Sequence, residues 1–113
     1  MNKQVKAYKN ALELIGHTPL VKLNKIVRNI PGNFFAKIEA FNPGHSNKDR
    51  IALHILESAE KKGLLKPGAT IIETTSGNTG FSLAMVSIIK GYNCILAVSS
   101  KSSPDKIDML KSM

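Results

Sequence analysis

The chain has 113 residues, of which 42% are hydrophobic and 21% are charged. This composition is typical of one soluble globular domain, and it excludes disordered, fibrous and membrane-embedded classes. No apolar run approaches the roughly 18 residues that a transmembrane helix needs. The polar start at residues 1–13 lacks the hydrophobic segment of a signal peptide. We therefore expect a cytoplasmic protein with no membrane partner.

The formal net charge of +8 raises the question of nucleic-acid binding. The basic residues are scattered singly or in pairs, only 5% of residues are aromatic, and no recognition motif is present. A solvated surface of mixed charge explains this pattern better, so no nucleic-acid partner is predicted. His17, His45 and His54 lie far apart, and the single cysteine, Cys94, lies in an apolar run. The sequence therefore predicts neither a metal site nor a disulfide.

The N-terminal third is predicted to form one short helix and two strands. Residues 1–13 read as a polar helix, which Gly16 and Pro19 end. Strands are expected near residues 21–23 and at residues 34–39, the second being rich in aromatic and branched side chains.

From residue 34 onward, strands and helices alternate. Apolar residues at helical spacing predict one helix that ends at Gly63, a second that ends at Gly91 and a third that begins at Pro104. Short apolar runs at residues 69–73 and 94–98 predict the strands between them. The order β-α-β-α-β-α predicts an α/β fold, with a parallel sheet flanked by helices and joined by right-handed crossovers.

Two polar loops, at residues 42–48 and 74–80, follow strands in this order. In parallel sheets such loops meet at the ligand-binding edge, so we expect the two to lie together. The first places Lys48 in the first turn of a helix, with Ser46 and Asp49 at the spacing of a capping box. A helix N-terminus disfavours a cation, and Schiff-base chemistry requires a neutral amine. Lys48 is thus a candidate nucleophile, and a solvated surface lysine is the alternative.

The second loop combines hydroxyls, a carboxamide and backbone N–H groups at the start of a helix. Such a site favours a carboxylate or a phosphate. The loop contains neither the Walker A pattern nor the dinucleotide-binding glycine pattern. An anion site and an ordinary capped turn are both compatible with the loop alone.

Together the two loops carry a resemblance to a known family. Residues 42–50 read Asn-Pro-Gly-His-Ser-Asn-Lys-Asp-Arg, which resembles the Asn-Pro-Gly-Gly-Ser-x-Lys-Asp-Arg signature of the pyridoxal-phosphate β-synthases. Residues 75–80 read Thr-Ser-Gly-Asn-Thr-Gly and match the corresponding loop of these enzymes at every position. Residues 15–20 and 105–110 are similar to two further segments. The family includes cysteine synthase and cystathionine β-synthase, and the resemblance implies fold type II.

The resemblance implies a role for each loop residue. Lys48 is expected to form the Schiff base with pyridoxal phosphate and to move the substrate's Cα proton, and Asn78 to hydrogen-bond the cofactor ring. Four residues are expected to hold the substrate's α-carboxylate: Thr75, Ser76, Gly77 and Thr79. The implied reaction is β-replacement through an aminoacrylate, in which sulfide or a thiol converts serine or O-acetylserine to cysteine or cystathionine. A serine/threonine dehydratase activity is the alternative within the same cofactor class.

Two departures from the family pattern affect these expectations. His45 stands where the family usually has glycine, and we expect it either to alter substrate choice or to point outward. The chain is also much shorter than the family's enzymes and lacks the glycine-rich loop that holds the cofactor phosphate. Residues 1–33 are therefore expected to be an arm that packs on a large domain, and residues 34–113 to be most of the small domain. The full-length enzyme is expected to be a homodimer. The alternative for this chain alone is a non-catalytic fragment that acts by association.

Overall fold

The computed structural model describes residues 6–75 and 77–113. Its strands are β1 (Leu20–Lys22), β2 (Phe35–Lys37), β3 (Thr70–Thr74) and β4 (Asn93–Ala97), and its α-helices are α1 (Lys48–Lys61), α2 (Asn78–Lys90) and α3 (Pro104–Lys111). Short 3-10 helices lie at Ala11–Leu14, Lys25–Val27 and Glu39–Phe41. No helix in this described part is long and apolar enough to cross a membrane.

The strands form two separate pairs. β3 and β4 pair in parallel, with α2 as the crossover between them, as the alternation predicts. β2 pairs antiparallel with β1, so the prediction that residues 34–39 join the parallel sheet is wrong. Within the described residues, no ladder connects β2 with β3. The antiparallel ladder is extended at both ends, because Leu23 N–H donates to Phe34 O and Ile38 N–H donates to Pro19 O.

The predicted helix at residues 1–13 is also wrong over residues 6–10, which are not helical, while residues 1–5 lie outside the described part. A 3-10 turn at Ala11–Leu14 takes its place. The Asn10 side chain explains where this turn begins, because its Oδ1 accepts the Leu12 N–H at 2.9 Å. Among residues 6–10 the one large apolar side chain, Tyr8, is 46% exposed, so no packed apolar face stabilises a helix there.

The core lies between α1 and α2, with Ile15 of the N-terminal arm packed against it. Ala52 and Leu56 of α1 are buried against Leu83 and Val86 of α2. Ile51 and Ile55, on a neighbouring face of α1, are exposed.

The parallel pair is covered on one face. α2 packs on that face, whereas Ile72 and Ile95, which are cross-strand partners, remain 72% and 56% exposed on the other. Continuous apolar strands are typical of sheets that are buried on both faces. The sequence of β3 and β4 is therefore more apolar than their surroundings in this structure require.

Candidate active site

The turn that precedes Lys48 is held from inside by Asn42, which is 1% exposed. Its Nδ2 donates to Ser46 O at 2.9 Å and to the Glu39 carboxylate at 2.8 Å, while its Oδ1 accepts the Gly16 N–H at 2.8 Å. One carboxamide therefore joins both ends of the turn to the N-terminal arm. This satisfies backbone groups that would otherwise be buried without partners.

Helix α1 begins at Lys48, which therefore lies in the first helical turn as predicted, but the capping box does not form. The N-cap residue is Asn47, so Asp49 is the second helical residue and lacks the third-residue geometry that a box needs. The Ser46 hydroxyl accepts the Lys48 N–H at 3.2 Å. The Asp49 carboxylate instead accepts the Gly44 N–H and the Ser82 hydroxyl, each at 2.5 Å.

Arg50 fixes the first turn of α1 to the arm. Its Nη2 donates to Gly16 O at 2.7 Å and to Glu39 Oε1 at 3.0 Å, and its Nε donates to Glu39 Oε2 at 3.0 Å. These hydrogen bonds from Arg50, with further ones from Asn42 and Thr18, lower the pKa of Glu39 to about 2. The same pairing raises the pKa of Arg50. Both groups therefore stay charged throughout the neutral range.

Lys48 itself is half-buried at the N-terminal end of α1. Its amine makes no hydrogen bond or ion pair with residues 6–75 or 77–113. An unpaired amine at this end of a helix lies in a field that opposes its charge. A ligand that contacts this amine would not have to displace an ion pair or a hydrogen bond within the described residues.

The second loop uses Thr75 to form the start of α2. Thr75 is buried, and its Oγ1 accepts the N–H groups of Gly77, at 3.3 Å, and of Gly80, at 3.0 Å. A Cβ on Gly80 would overlap the Thr75 side chain, so glycine is required there by this close approach. Two of the N–H groups that an anion could have used are thus satisfied by the protein.

The N–H groups of Asn78 and Thr79 remain without an acceptor among the described residues. The Asn78 side chain is exposed, the Thr79 side chain is half-buried, and neither makes a side-chain hydrogen bond within the described part. These two residues can therefore donate to a ligand at the α2 N-terminus. Ser76, the remaining predicted member of the loop, lies outside the described residues.

The structure brings the two loops together through their helices. α1 and α2 pack along each other, and the Asp49–Ser82 hydrogen bond connects their N-terminal halves. A cleft of about 160 Å³ is lined by both helices, including Ile51 of α1 and Thr79 of α2. Lys48 and the Asn78–Thr79 donors therefore belong to neighbouring helix starts, although β2 is not part of the parallel sheet whose edge was predicted to bring the two loops together.

His45 adopts a left-handed backbone conformation with φ 59°, the one non-glycine residue with positive φ in the described part. Side chains rarely occupy this region, which explains why a glycine suits the position. The imidazole is exposed, and its Nδ1 lies 3.2 Å from Ala40 O. No group of three or more potential metal ligands was found among the described residues.

Sequence reasoning missed the residues that support Lys48. Glu39 and Arg50 flank the breaker-rich turn with opposite charges, and that was a usable signal for an ion pair across it. Asn42 precedes a proline at the beginning of the turn, a position where Asn side chains often hydrogen-bond nearby backbone. The contact between Asp49 and Ser82 has no counterpart in sequence spacing, because 33 residues separate them.

Comparison with known proteins gives a consistent result. A family described as "Pyridoxal-phosphate dependent enzyme" matches residues 11–113. Cystathionine beta-synthase of Mus musculus is 47% identical over 115 residues, which cover 100% of this chain and 20% of the mouse protein. Cysteine synthase 1 of Emericella nidulans is 45% identical over 109 residues, covering 96% of this chain and 30% of that protein.

A solved structure agrees with the sequence relatives. The O-acetylserine dependent cystathionine beta-synthase from Helicobacter pylori superposes with a TM-score of 0.83 at 34% identity. The match covers 96% of this chain and 36% of that one. The chain therefore spans between a fifth and about a third of the length of these relatives.

Proposed function

The chain belongs to the pyridoxal-phosphate dependent enzymes, and from this premise we propose that it is the N-terminal part of a β-replacement enzyme. The substrate is serine or O-acetylserine, the nucleophile is sulfide or a thiol, and the product is cysteine or cystathionine. The similarity to cystathionine beta-synthases and to a cysteine synthase supports this reaction class. The observation that carries the proposal is the unpaired Lys48 amine, which lies at a helix start joined to the α2 N-terminal region by Asp49 and Ser82.

The residues present fit one end of this cofactor. When bound, pyridoxal phosphate supplies an aldehyde for a lysine amine and an electron sink for the bonds at the substrate's Cα. Lys48 offers the amine, and the exposed Asn78 carboxamide offers a donor for the ring oxygen. Lys48 would accept the Cα proton of the substrate from its position in the first turn of α1.

The start of α2 is proposed to bind the substrate's α-carboxylate. Asn78 and Thr79 contribute their unsatisfied N–H groups, and the Thr79 hydroxyl adds a third donor. Thr75 accepts two N–H groups through Oγ1 and still has a hydroxyl hydrogen to donate. Ser76 and Gly77 complete the proposed binding loop. A carboxylate fixed here orients the Cα–H bond toward Lys48.

We also propose how this chain contributes to the two domains of the full-length enzyme. Residues 1–33 form an arm for the large domain, and residues 34–113 form most of the small domain, although β1 of the arm is hydrogen-bonded to β2. Exposure of the Ile72–Ile95 pair supports a further layer of protein on that face of the sheet. We propose that the full-length enzyme is a cytoplasmic homodimer and that this chain alone is at most weakly active.

His45 is proposed to influence the choice of nucleophile. The family usually has glycine at this position, so His45 adds an imidazole side chain to the turn that precedes Lys48. In the full-length enzyme, we expect His45→Gly to change the relative rates with sulfide, homocysteine and water. Unchanged ratios would show that the imidazole only points outward toward solvent and Ala40 O.

The test of the proposed function uses the chain with added pyridoxal phosphate. We expect an absorbance band of lysine-linked cofactor near the visible edge, which Lys48→Ala abolishes. Lys61→Ala is the matched control, since Lys61 is an exposed lysine at the other end of the same helix. A band that survives Lys48→Ala contradicts the proposal, and strong turnover by this chain alone contradicts the claim that it is at most weakly active. Pyruvate release from serine without a thiol, in the full-length enzyme, would identify the dehydratase alternative.

A second candidate is a non-catalytic fragment that acts by association. Exposed apolar side chains of the N-terminal third favour it, including Leu20 at 63%, Ile26 at 82% and Phe41 at 70%. Sedimentation distinguishes the two functions. Concentration-dependent association without any cofactor band supports the fragment, whereas a Lys48-dependent band supports the enzyme.

A further inference from the structure

Asp49 is a fully buried carboxylate that the proposed chemistry does not use. It accepts two hydrogen bonds, from the Gly44 N–H within the turn and from the Ser82 hydroxyl of α2, each at 2.5 Å. Ser82 is fully buried as well. Buried polar groups are costly unless they are hydrogen-bonded, so loss of either partner leaves an unsatisfied group in the core. These contacts therefore restrict how α1 and α2 can be arranged.

Helix geometry connects this contact with the candidate active site. Consecutive residues in an α-helix are rotated by about 100°, so pinning Asp49 against α2 fixes the direction in which Lys48 leaves α1. In α2, Ser82 lies four residues after Asn78, and residues at that spacing share a helix face. Where α1 and α2 pack through their apolar side chains, this hydrogen bond joins the helical turn of Lys48 to the face of α2 that carries Asn78.

The neighbouring ion pair does not duplicate this function. Arg50 bonds to Glu39 and to Gly16 O, which ties α1 to the N-terminal arm and leaves its relation to α2 undetermined. Asn42 likewise hydrogen-bonds the turn to the N-terminal arm and makes no contact of this kind with α2. Among the side-chain hydrogen bonds of the described residues, Asp49–Ser82 is the one that joins the first turn of α1 to α2.

We infer that Asp49 is a positioning residue and that its hydrogen bond with Ser82 aims the Lys48 amine at a ligand bound by Asn78. This inference rests on the proposed function of Lys48. Asp49 touches neither cofactor nor substrate in this scheme, because its carboxylate is enclosed by the protein. It acts through the orientation of α1 alone.

The chain offers a matched control for this contact. Ser87 is also fully buried in α2, and its hydroxyl makes no hydrogen bond with Asp49. Ser87→Ala and Ser82→Ala therefore remove the same atom from similarly buried sites of one helix. Only Ser82→Ala removes the contact with Asp49. Asp49→Asn is the complementary variant, in which one carboxylate oxygen becomes an NH₂ group that cannot accept.

The experiment measures how selectively Lys48 reacts. The full chain and each variant are mixed with pyridoxal phosphate and treated with borohydride, and the modified lysines are located by peptide mass spectrometry. Circular dichroism establishes a temperature at which every variant is folded. The readout is the ratio of label at Lys48 to label at Lys61. We expect Ser82→Ala and Asp49→Asn to lower this ratio about tenfold, and Ser87→Ala to leave it unchanged.

The outcomes separate the inference from the proposed function. A wild-type chain in which Lys48 is labelled no faster than Lys61 overturns both. Preferential labelling in the wild type, with Ser82→Ala equal to Ser87→Ala, overturns the inference alone. A lower melting temperature with an unchanged ratio also overturns it, because a merely structural contact gives that result. If Asp49→Asn does not fold, Ser82→Ala alone decides, since it removes a single hydroxyl.

Discussion

Arg50 donates two hydrogen bonds to the Glu39 carboxylate, from Nε to Oε2 and from Nη2 to Oε1, each 3.0 Å long. Two parallel hydrogen bonds of this kind fix the orientation of both side chains as well as their distance. Arg50 stands two residues after Lys48, and Glu39 opens the 3-10 helix that leads into the turn. The pair therefore closes the turn at its base.

The first prediction concerns the pH dependence of this pair. Hydrogen bonds from Arg50 lower the pKa of Glu39 from 4.5 to about 2. Because the folded-state pKa is below the unfolded one, the stabilisation is present above about pH 4.5 and is lost as the pH falls toward 2. We expect Glu39→Gln to be less stable than the wild type at neutral pH, with the difference vanishing in acid. Chemical denaturation across this range measures it.

Glu13→Gln is the control for that series, because Glu13 is an exposed carboxylate of the first 3-10 turn. It is expected to change the pH profile little. A Glu39→Gln difference that stays constant from neutral pH to about pH 2 would contradict the role assigned to the ion pair.

The second prediction concerns the close approach of Gly80 and Thr75. Alanine is the better helix former, so Gly80→Ala would stabilise an unobstructed helix by about 1 kcal/mol. Here the added Cβ overlaps the Thr75 side chain, most closely its methyl group. We expect Gly80→Ala to lower the free energy of unfolding by about 1–3 kcal/mol.

Thr75→Ser provides the matched test, because it removes the overlapping methyl group and keeps the hydroxyl that accepts the Gly80 N–H. In a double-mutant cycle, the cost of Gly80→Ala should be much smaller in the Thr75→Ser background. Equal costs in both backgrounds would show that the methyl contact does not determine the residue at position 80.

The sequence predicted the fold best where local signals decide the structure. The left-handed end of α2 at Gly91 and Pro104 at the first position of α3 both follow from residues with strong backbone preferences. The pairing of β2 could not be predicted this way. Residues 34–39 have the composition of a strand, but composition does not determine whether β1 or β3 becomes the partner.

The candidate site shows the same limit at the level of single atoms. The loop at residues 75–80 was identified as a set of donors, yet the structure commits Thr75 Oγ1 to the N–H groups of Gly77 and Gly80. Asp49 was expected to cap its own helix and instead reaches Ser82. Both outcomes depend on which helices pack together, and hydrophobic periodicity predicts that helices pack without specifying their relative rotation.

The third prediction concerns the strained backbone at His45, where φ is 59°. Glycine adopts this conformation without a Cβ clash, so we expect His45→Gly to raise the free energy of unfolding by about 0.5–1 kcal/mol. The gain is partly offset by loss of the contact between Nδ1 and Ala40 O. His45→Ala separates the two effects, because it loses that contact and keeps the strain. It should be no more stable than the wild type, and a His45→Ala chain as stable as His45→Gly would contradict the strain argument.

The last prediction concerns the C-terminal ends of α1 and α2. There Glu60 accepts hydrogen bonds from Lys90 Nζ at 2.9 Å and from Tyr92 Oη at 2.7 Å. The hydrogen bond to Glu60 raises the pKa of Tyr92 above its usual 10.0, and the bonds from Lys90 and then Tyr92 lower the pKa of Glu60. Because the folded-state pKa of Tyr92 is the higher one, its contribution is fully present below about pH 10 and is lost as the pH rises through the folded value.

Tyr92→Phe should therefore be less stable than the wild type at neutral pH and should lose less stability in alkali. Thermal unfolding between neutral pH and about pH 11 measures this difference, with the exposed Tyr8→Phe as the control. Parallel alkaline profiles for the wild type and Tyr92→Phe would show that the hydroxyl does not couple the two helices.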